Sequence, residues 1–277
     1  ARRWNLPELM RTIMTFLMLA AAAYLALVAF AYATQRGQIY FPTPATDSAV
    51  AQVRWIDSGG ERLKVWAVQR PGPHALLYFG GNADDVAGHI EPFIAAFPEH
   101  SLYLVNYRGY GGSSGRPSEP ALVTDALAVF DYVQSRHADV SVMGRSLGSG
   151  VAVQLASERR VDRLVLVTPF DSLVNVAREH MRWLPVGLLM RDRYDSAQRA
   201  PQVSAPALLV IAGEDEIIPR ARSEALAKAF APGQVQVRVM PGVGHNTLDL
   251  SSQYLQAVAA FLSELPAAAS AAEGGVS

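Results

Sequence analysis

Hydrophobic positions along the chain follow two regimes. From Thr12 to Thr34 they run together as 23 residues without a charge, apolar on every side of a helix rather than on one face. Past that stretch, the apolar residues gather into short runs separated by polar and glycine-containing segments. Residues 53–57 and 62–69 flank Ser58-Gly59-Gly60, a hairpin signal. Runs follow at 75–79, 102–106, 140–143, 164–167, 207–211 and 235–240. Each of the first five leads into a Gly- or Pro-containing turn and a helical stretch, as at 119–136, where Leu122, Ala126, Val129 and Val133 recur at helical spacing, and at 223–230. Short continuous apolar strands separated by helices predict a mostly parallel sheet covered on both faces, with the hairpin adding antiparallel strands at one edge. In such sheets ligands sit at the carboxyl ends of the strands.

Residues 169–206 break this rhythm. The segment exceeds an ordinary connection, and we read it as a helical cap over the carboxyl edge. Pro266 closes the last periodic segment, and residues 267–277 read as a disordered tail. The domain plan is therefore an anchor over residues 1–36, a catalytic domain over 37–266 and the tail.

At about 1.5 Å per residue the first stretch spans roughly 34 Å, against about 30 Å of bilayer hydrocarbon. Arg2, Arg3 and Arg11 precede it with only Glu8 opposing, and Arg36 is the sole charge in the ten residues after it. The positive-inside rule places the N-terminus in the cytoplasm and the domain outside. Ala31-Tyr32-Ala33 also fits a signal-peptide cleavage pattern, but the apolar region is longer than the roughly 7–15 residues of such peptides, so an uncleaved single-pass anchor is the reading adopted.

Composition narrows the chemistry. Of 277 residues, 50% are hydrophobic and 18% charged, which excludes a disordered chain. The net charge of −1 leaves no electrostatic footprint for nucleic acid. With no cysteine, thiolate nucleophiles and cysteine-based metal centres are excluded. Arginine far outnumbers lysine (Lys64 and Lys228 alone) and alanine is abundant, a GC-rich coding bias that points to a bacterial inner membrane with the domain on the periplasmic side.

The run at 140–143 enters Gly144-Arg145-Ser146-Leu147-Gly148 and then a helix-forming stretch. G-x-S-x-G between strand and helix is a nucleophile-elbow candidate: the glycines clear space for a tight turn that projects the Ser146 hydroxyl. A serine hydroxyl needs a base. Of six histidines, only His245 sits in a glycine-bracketed loop after a late strand; His74, His89, His100, His137 and His180 read as surface or capping residues. The acid that orients the imidazole should follow the run at 207–211, where Asp215 is chosen over Glu214 and Glu216. The order Ser146, Asp215, His245 is that of the nucleophile-elbow enzymes. An oxyanion hole then needs backbone N–H groups from Leu147 and from the loop after the early strand, where Gly81, Asn82 and Ala83 are the candidates. Arg108, in a second glycine-rich loop, reads as a fold-internal donor, and Asp171, Asp192 and Asp195 read as a solvated cap surface.

Together, Tyr40-Phe41-Pro42, Tyr78-Phe79-Gly80-Gly81-Asn82, Tyr107-Arg108-Gly109-Tyr110-Gly111, the elbow, Gly213-Glu214-Asp215 and Gly244-His245-Asn246 resemble the α/β-hydrolase superfamily. More narrowly, they are similar to its single-pass membrane-anchored serine hydrolases, a branch that includes lysophospholipid lipases and protein depalmitoylases. One departure is that family members often carry His-Gly-Asn where this chain has Gly80-Gly81-Asn82. The resemblance implies an α/β-hydrolase fold with a small cap, and esterase or thioesterase activity on an acyl-ester or lipid-like substrate without metal or cofactor. Peptide cleavage, acyl transfer and a non-catalytic binding module in the envelope are the competing readings. The dehalogenase and epoxide-hydrolase chemistries of the fold need Asp at the nucleophile position, which Ser146 occupies.

Overall fold

A computed structural model describes residues 6–264. The tail at 267–277, Pro266, and two of the arginines used for orientation, Arg2 and Arg3, lie outside the described residues. Among the described residues there are eight strands: β1 (Gln52–Ser58), β2 (Glu61–Val68), β3 (His74–Phe79), β4 (Ser101–Val105), β5 (Asp139–Arg145), β6 (Leu164–Val167), β7 (Ala207–Ala212) and β8 (Val235–Met240). The helices, in chain order, are α1 (Leu6–Ile39), α2 (Ile90–Ala96), α3 (Glu119–Gln134), α4 (Leu147–Glu158), α5 (Leu173–His180), α6 (Val186–Leu189), α7 (Ser196–Arg199), α8 (Arg220–Ala229) and α9 (Ser252–Ser263).

The strands form one sheet in the order β1-β2-β4-β3-β5-β6-β7-β8. β1 and β2 pair antiparallel, β2 joins β4 antiparallel, and every other pairing is parallel. The β1–β2 hairpin turns at Gly59 and Gly60, both at positive φ (55° and 82°), the backbone that a tight two-residue turn demands and glycine supplies without strain. Alternation along the strands divides the core into two layers. Leu77, Phe79, Leu164, Leu166 and Leu209 face α3, α4 and α8, while Leu76, Tyr78, Val165, Val167 and Val210 face α2 and α9. Because both faces are covered, the central strands read as unbroken apolar runs, which is why they are legible without period-2 patterning.

The segment at 169–206 carries α5, α6 and α7, and the first two pack against a satellite apolar cluster of Ala177, Leu184 and Val186 that includes Val28 and Ala31 of α1. α1 has no buried residue and is the one helix, among those described, long and apolar enough to cross a membrane. Two sequence expectations change here. Two of the three cap aspartates are not a solvated surface: Asp192 is fully buried and accepts from Arg36 Nε at 2.9 Å, and Asp171 is buried against Arg222, while Asp195 is 34% exposed beside Arg193. Nor are His100 and His137 surface residues; both are buried, His137 Nε2 lying 2.9 Å from Tyr103 Oη. For Asp192, Asp171 and His137 a polar partner distant in sequence takes the group out of water, and periodicity carries no trace of that partner.

Candidate active site

Sheet order decides what can meet. β5 lies beside β3 and β7 beside β8, so the loops leaving these strands share one edge although their residues are far apart in sequence. At the end of β5 the chain turns directly into α4, with Ser146 at φ 50°, ψ −116°, a left-handed conformation for a residue with a side chain. The turn closes only because its neighbours lack Cβ atoms. A Cβ at Gly144 would stand 2.2 Å from Gly148 O, and one at Gly148 would stand 2.1 Å from Phe79 O. The elbow is further fixed by Ser146 N–H donating to Val167 O at 2.8 Å and by Ser149 Oγ donating to Ser146 O at 2.6 Å.

Ser146 Oγ lies 3.0 Å from His245 Nε2, and His245 Nδ1 lies 2.9 and 3.1 Å from the two Asp215 oxygens. The structure thus brings together the three residues singled out for nucleophile, base and acid. It also separates the three competing carboxylates. Asp215 is anchored by Ile217 N–H and Ile218 N–H, which donate to its Oδ1 at 2.9 and 2.7 Å, leaving Oδ2 for the imidazole. Glu216 accepts the backbone N–H of His245 at 3.1 Å, and Glu214 donates its own N–H to Val243 O. The Asp215 side chain is only 2% exposed and that of His245 7%, so this pair works with little competition from water. Arg145 donates to His245 O at 3.2 Å and pairs with Asp249, tying the histidine loop to the elbow. Burial opposes the charge of Arg145, but Tyr78 and Asp249 more than offset that, and the guanidinium is held above its ordinary value.

The candidate oxyanion loop closes against the elbow: a Cβ at Gly81 would sit 3.6 Å from Ser146 Cβ. Within it, Gly81 N–H donates to Asp84 Oδ2 at 3.2 Å and is committed to the loop itself. Asn82 uses its side chain to hold position, Oδ1 accepting from Phe41 N–H at 2.9 Å and Tyr110 Oη at 3.1 Å. Ala83 has φ 57°, so the loop doubles back at that residue. Asp84 is the loop's buttress: it also accepts from Tyr78 Oη at 3.0 Å and lies 2.9 Å from His89 Nε2. Burial pushes the Asp84 carboxyl upward, but the His89 imidazole, Arg145 and the Gly81 N–H outweigh it and hold the group below the usual carboxylate range. Sequence reasoning passes over Asp84 and His89, because a carboxylate and an imidazole five residues apart match no recognised motif. Arg108 is the internal donor expected of it, its Nε 2.7 Å from Asp125 Oδ2.

Next to Ser146 opens a cavity of about 310 Å³. Leu147, Phe170, Val176, Leu184 and Met190 give it an apolar wall, and Ala31, Gln35 and Ile39 of α1 close one side. Among the described residues no group of three or more His, Asp or Glu is placed to hold a metal ion.

A parallel sheet with a serine elbow at its carboxyl edge, a facing imidazole and a cap above them defines an α/β-hydrolase. Residues 75–200 match the family described as alpha/beta hydrolase fold. A Mycobacterium tuberculosis protein described only as uncharacterised is 38% identical over 269 residues, covering 89% of this chain and 95% of that one. Alpha/beta hydrolase domain-containing protein 17C of Xenopus laevis is 30% identical over 227 residues, covering 79% of this chain and 71% of that protein. Among solved structures, an esterase from Pyrococcus furiosus aligns with a TM-score of 0.68 at 16% identity, over 81% of this chain and 98% of that one. Mouse alpha/beta hydrolase domain-containing protein 10 aligns at 0.61 and 18% identity, over 76% and 97%. The chain belongs to the alpha/beta hydrolase family.

Proposed function

We propose that the protein is a membrane-tethered serine hydrolase that cleaves carboxylic esters or thioesters through Ser146, His245 and Asp215. The observation that carries this reading is the continuous hydrogen-bonded line from Ser146 Oγ through both imidazole nitrogens to Asp215, beside an apolar cavity. His245 Nε2 takes the Ser146 proton as Oγ attacks the acyl carbonyl, and Asp215 holds the tautomer that leaves Nε2 free to accept. The backbone N–H of Leu147, at the first turn of α4, and those of Asn82 and Ala83 receive the oxyanion; Gly81, turned to Asp84, supports the loop instead. His245 returns the proton to the departing alcohol or thiol, and water then releases the acyl group by the same steps.

The apolar wall favours an acyl chain over a peptide, which would leave backbone polar groups facing hydrocarbon. Against a non-catalytic module stands the strained backbone of Ser146, which a binding scaffold has no use for. α1 supports an uncleaved anchor, because cleavage after Ala33 would strip Tyr24, Val28 and Ala31 from the cap. The charge argument puts the domain outside the membrane, and the arginine- and alanine-rich composition makes that membrane a bacterial inner one.

A fluorophosphonate probe tests the reading. Wild type is expected to label and Ser146→Ala to stay unlabelled, with ester turnover falling about 10⁶-fold in the variant. A folded wild-type protein that neither labels nor turns over esters would overturn it.

A further inference from the structure

The cavity at Ser146 is built partly from the anchor helix, a wall that a tether alone does not require. Five of the α1 residues that meet the domain, Tyr24, Val28, Ala31, Gln35 and Ile39, recur at intervals of three and four and form one stripe. Polar contacts hold the far end of the stripe. Gln35 Nε2 donates to Leu189 O at 3.1 Å, Arg191 N–H donates to Gln35 Oε1 at 2.8 Å, Arg36 pairs with buried Asp192, and Tyr40 Oη lies 2.9 Å from Tyr194 Oη. Val28 and Ala31, by contrast, meet the cap only through the apolar cluster with Leu184 and Leu189. Between Tyr24 and Gln35, among the described residues, no hydrogen bond joins α1 to the cap, so this middle stretch of the seam can widen while both its ends stay tied.

The depth of that seam follows from the length of the helix. A hydrocarbon layer of about 30 Å takes roughly 20 helical residues. Counted from Thr12, where the uncharged stretch begins, the layer ends near Ala31. Tyr24 lies roughly 10 Å deeper, at about 1.5 Å per residue. Its hydroxyl nevertheless donates to Trp183 O in the cap at 3.1 Å. The cap tip is therefore held beside a part of α1 that lies within the apolar layer. The side chains there fit such a setting: Trp183 is 56% exposed and Leu188 89% exposed. Arg191 stacks over the Tyr32 ring, at the level where aromatic and basic side chains gather at membrane interfaces.

We infer that the seam between α1 and the cap is a lateral port to the bilayer, with the tip at Trp183 and Leu188 seated in the leaflet. The acyl chain of a membrane-resident ester passes between Ala31 and Leu184 to bring its carbonyl to Ser146. This rests on the hydrolase reading for its chemistry, and it narrows the substrate to esters whose acyl chains are long enough to reside in a membrane.

The full chain in phosphatidylcholine vesicles tests it in two arms. Because the chain has no cysteine, Leu188→Cys supplies a unique thiol for a spin label, and Arg160→Cys, exposed after α4 at the opposite edge of the sheet, supplies the control. The label at 188 is expected to be more accessible to oxygen than to an aqueous nickel chelate, and the label at 160 the reverse. Equal nickel accessibility at both would overturn the seating of the cap. In the second arm, Ala31→Trp or the milder Ala31→Phe narrows the seam, and hydrolysis of p-nitrophenyl palmitate is compared with that of p-nitrophenyl acetate. The palmitate-to-acetate ratio is expected to fall at least roughly tenfold, about the value of two methylenes withdrawn from an apolar pocket. An unchanged ratio in both folded variants would overturn the port. If wild type hydrolyses neither ester and does not label with the fluorophosphonate probe, the hydrolase reading fails instead, and the label arm still decides the seating.

Discussion

The elbow and the seam between α1 and the cap both border the same cavity, yet they are held by opposite means. The elbow is steric and local: within five residues, two missing Cβ atoms permit a turn that any larger residue at those positions would block with backbone contacts near 2 Å. The seam is polar and long-range, its principal ion pair joining Arg36 to Asp192 across 156 positions. A site that must place one oxygen to within a fraction of an ångström uses the stiffer device, whereas the seam is tied by hydrogen bonds at Tyr24 and at Gln35 and Arg36 and is apolar between them, at Val28 and Ala31.

On the rigid side, Asp215→Asn is expected to separate turnover from stability most sharply. Ile217 and Ile218 hold this side chain through Oδ1, and the amide can keep those bonds while offering the imidazole the wrong partner. Ester turnover should fall roughly 10⁴-fold in kcat, with thermal stability nearly unchanged. Steady-state kinetics alongside a melting curve checks it, and a matching loss of fold would erase the distinction between the two regions. On the seam the balance reverses. Asp192→Ala leaves the Glu119 N–H without its acceptor and frees Arg36, whose side chain is 45% exposed and can turn to water. The cost should be about 2 kcal/mol, a fall of roughly 4–8 °C in Tm, with kcat on a short-chain ester changed far less than by Asp215→Asn.

The same contrast explains what the sequence discloses. Strands buried on both faces declare themselves as apolar runs, as β6 does at 164–167, whereas β8, an exposed edge strand, is bounded at 235–240 by the alternation of Val235, Val237 and Val239 with Gln236 and Arg238. The elbow is legible because its sterics demand glycine at fixed offsets. Choosing Asp215 over its two neighbouring glutamates is harder, since all three share one turn, and only the reach of each side chain from that turn separates them. α2 escapes periodicity because it has only seven residues and carries Pro92. The ties of Asp192 to Arg36 and of His137 to Tyr103 are invisible for a plainer reason: hydrogen-bond partners far apart in sequence leave no mark on either segment.

Ser146→Gly sharpens the account of the elbow. The serine holds φ 50° with a side chain attached, a conformation that costs of order 1–3 kcal/mol, less for glycine. Set against the roughly 0.5–1 kcal/mol by which glycine loosens the unfolded chain, the variant should gain about 1 kcal/mol and melt roughly 2–4 °C higher while losing all ester turnover. Ser146→Ala keeps the strain and should show no such gain. A melting comparison of the two variants separates backbone relief from mere loss of the hydroxyl.

The smallest effect belongs to Asp84, which lies between the two extremes: its partners are local, yet they are polar. Its carboxyl is held below the ordinary range, burial being outweighed by His89, Arg145 and the Gly81 N–H. A group whose folded pKa is depressed contributes stability that is fully present above its unfolded value, near pH 4, and that is lost as pH falls through the folded value. Asp84→Asn cannot ionise, so it should be less stable than wild type at neutral pH and converge on it under acid conditions. Urea midpoints measured from pH 7 down to about pH 3 should show wild type falling more steeply than the variant over the acidic end. Parallel curves would mean that the carboxylate does not brace the loop and that Gly81 N–H is free to turn toward an oxyanion. The loop would then belong with the yielding seam rather than with the rigid elbow.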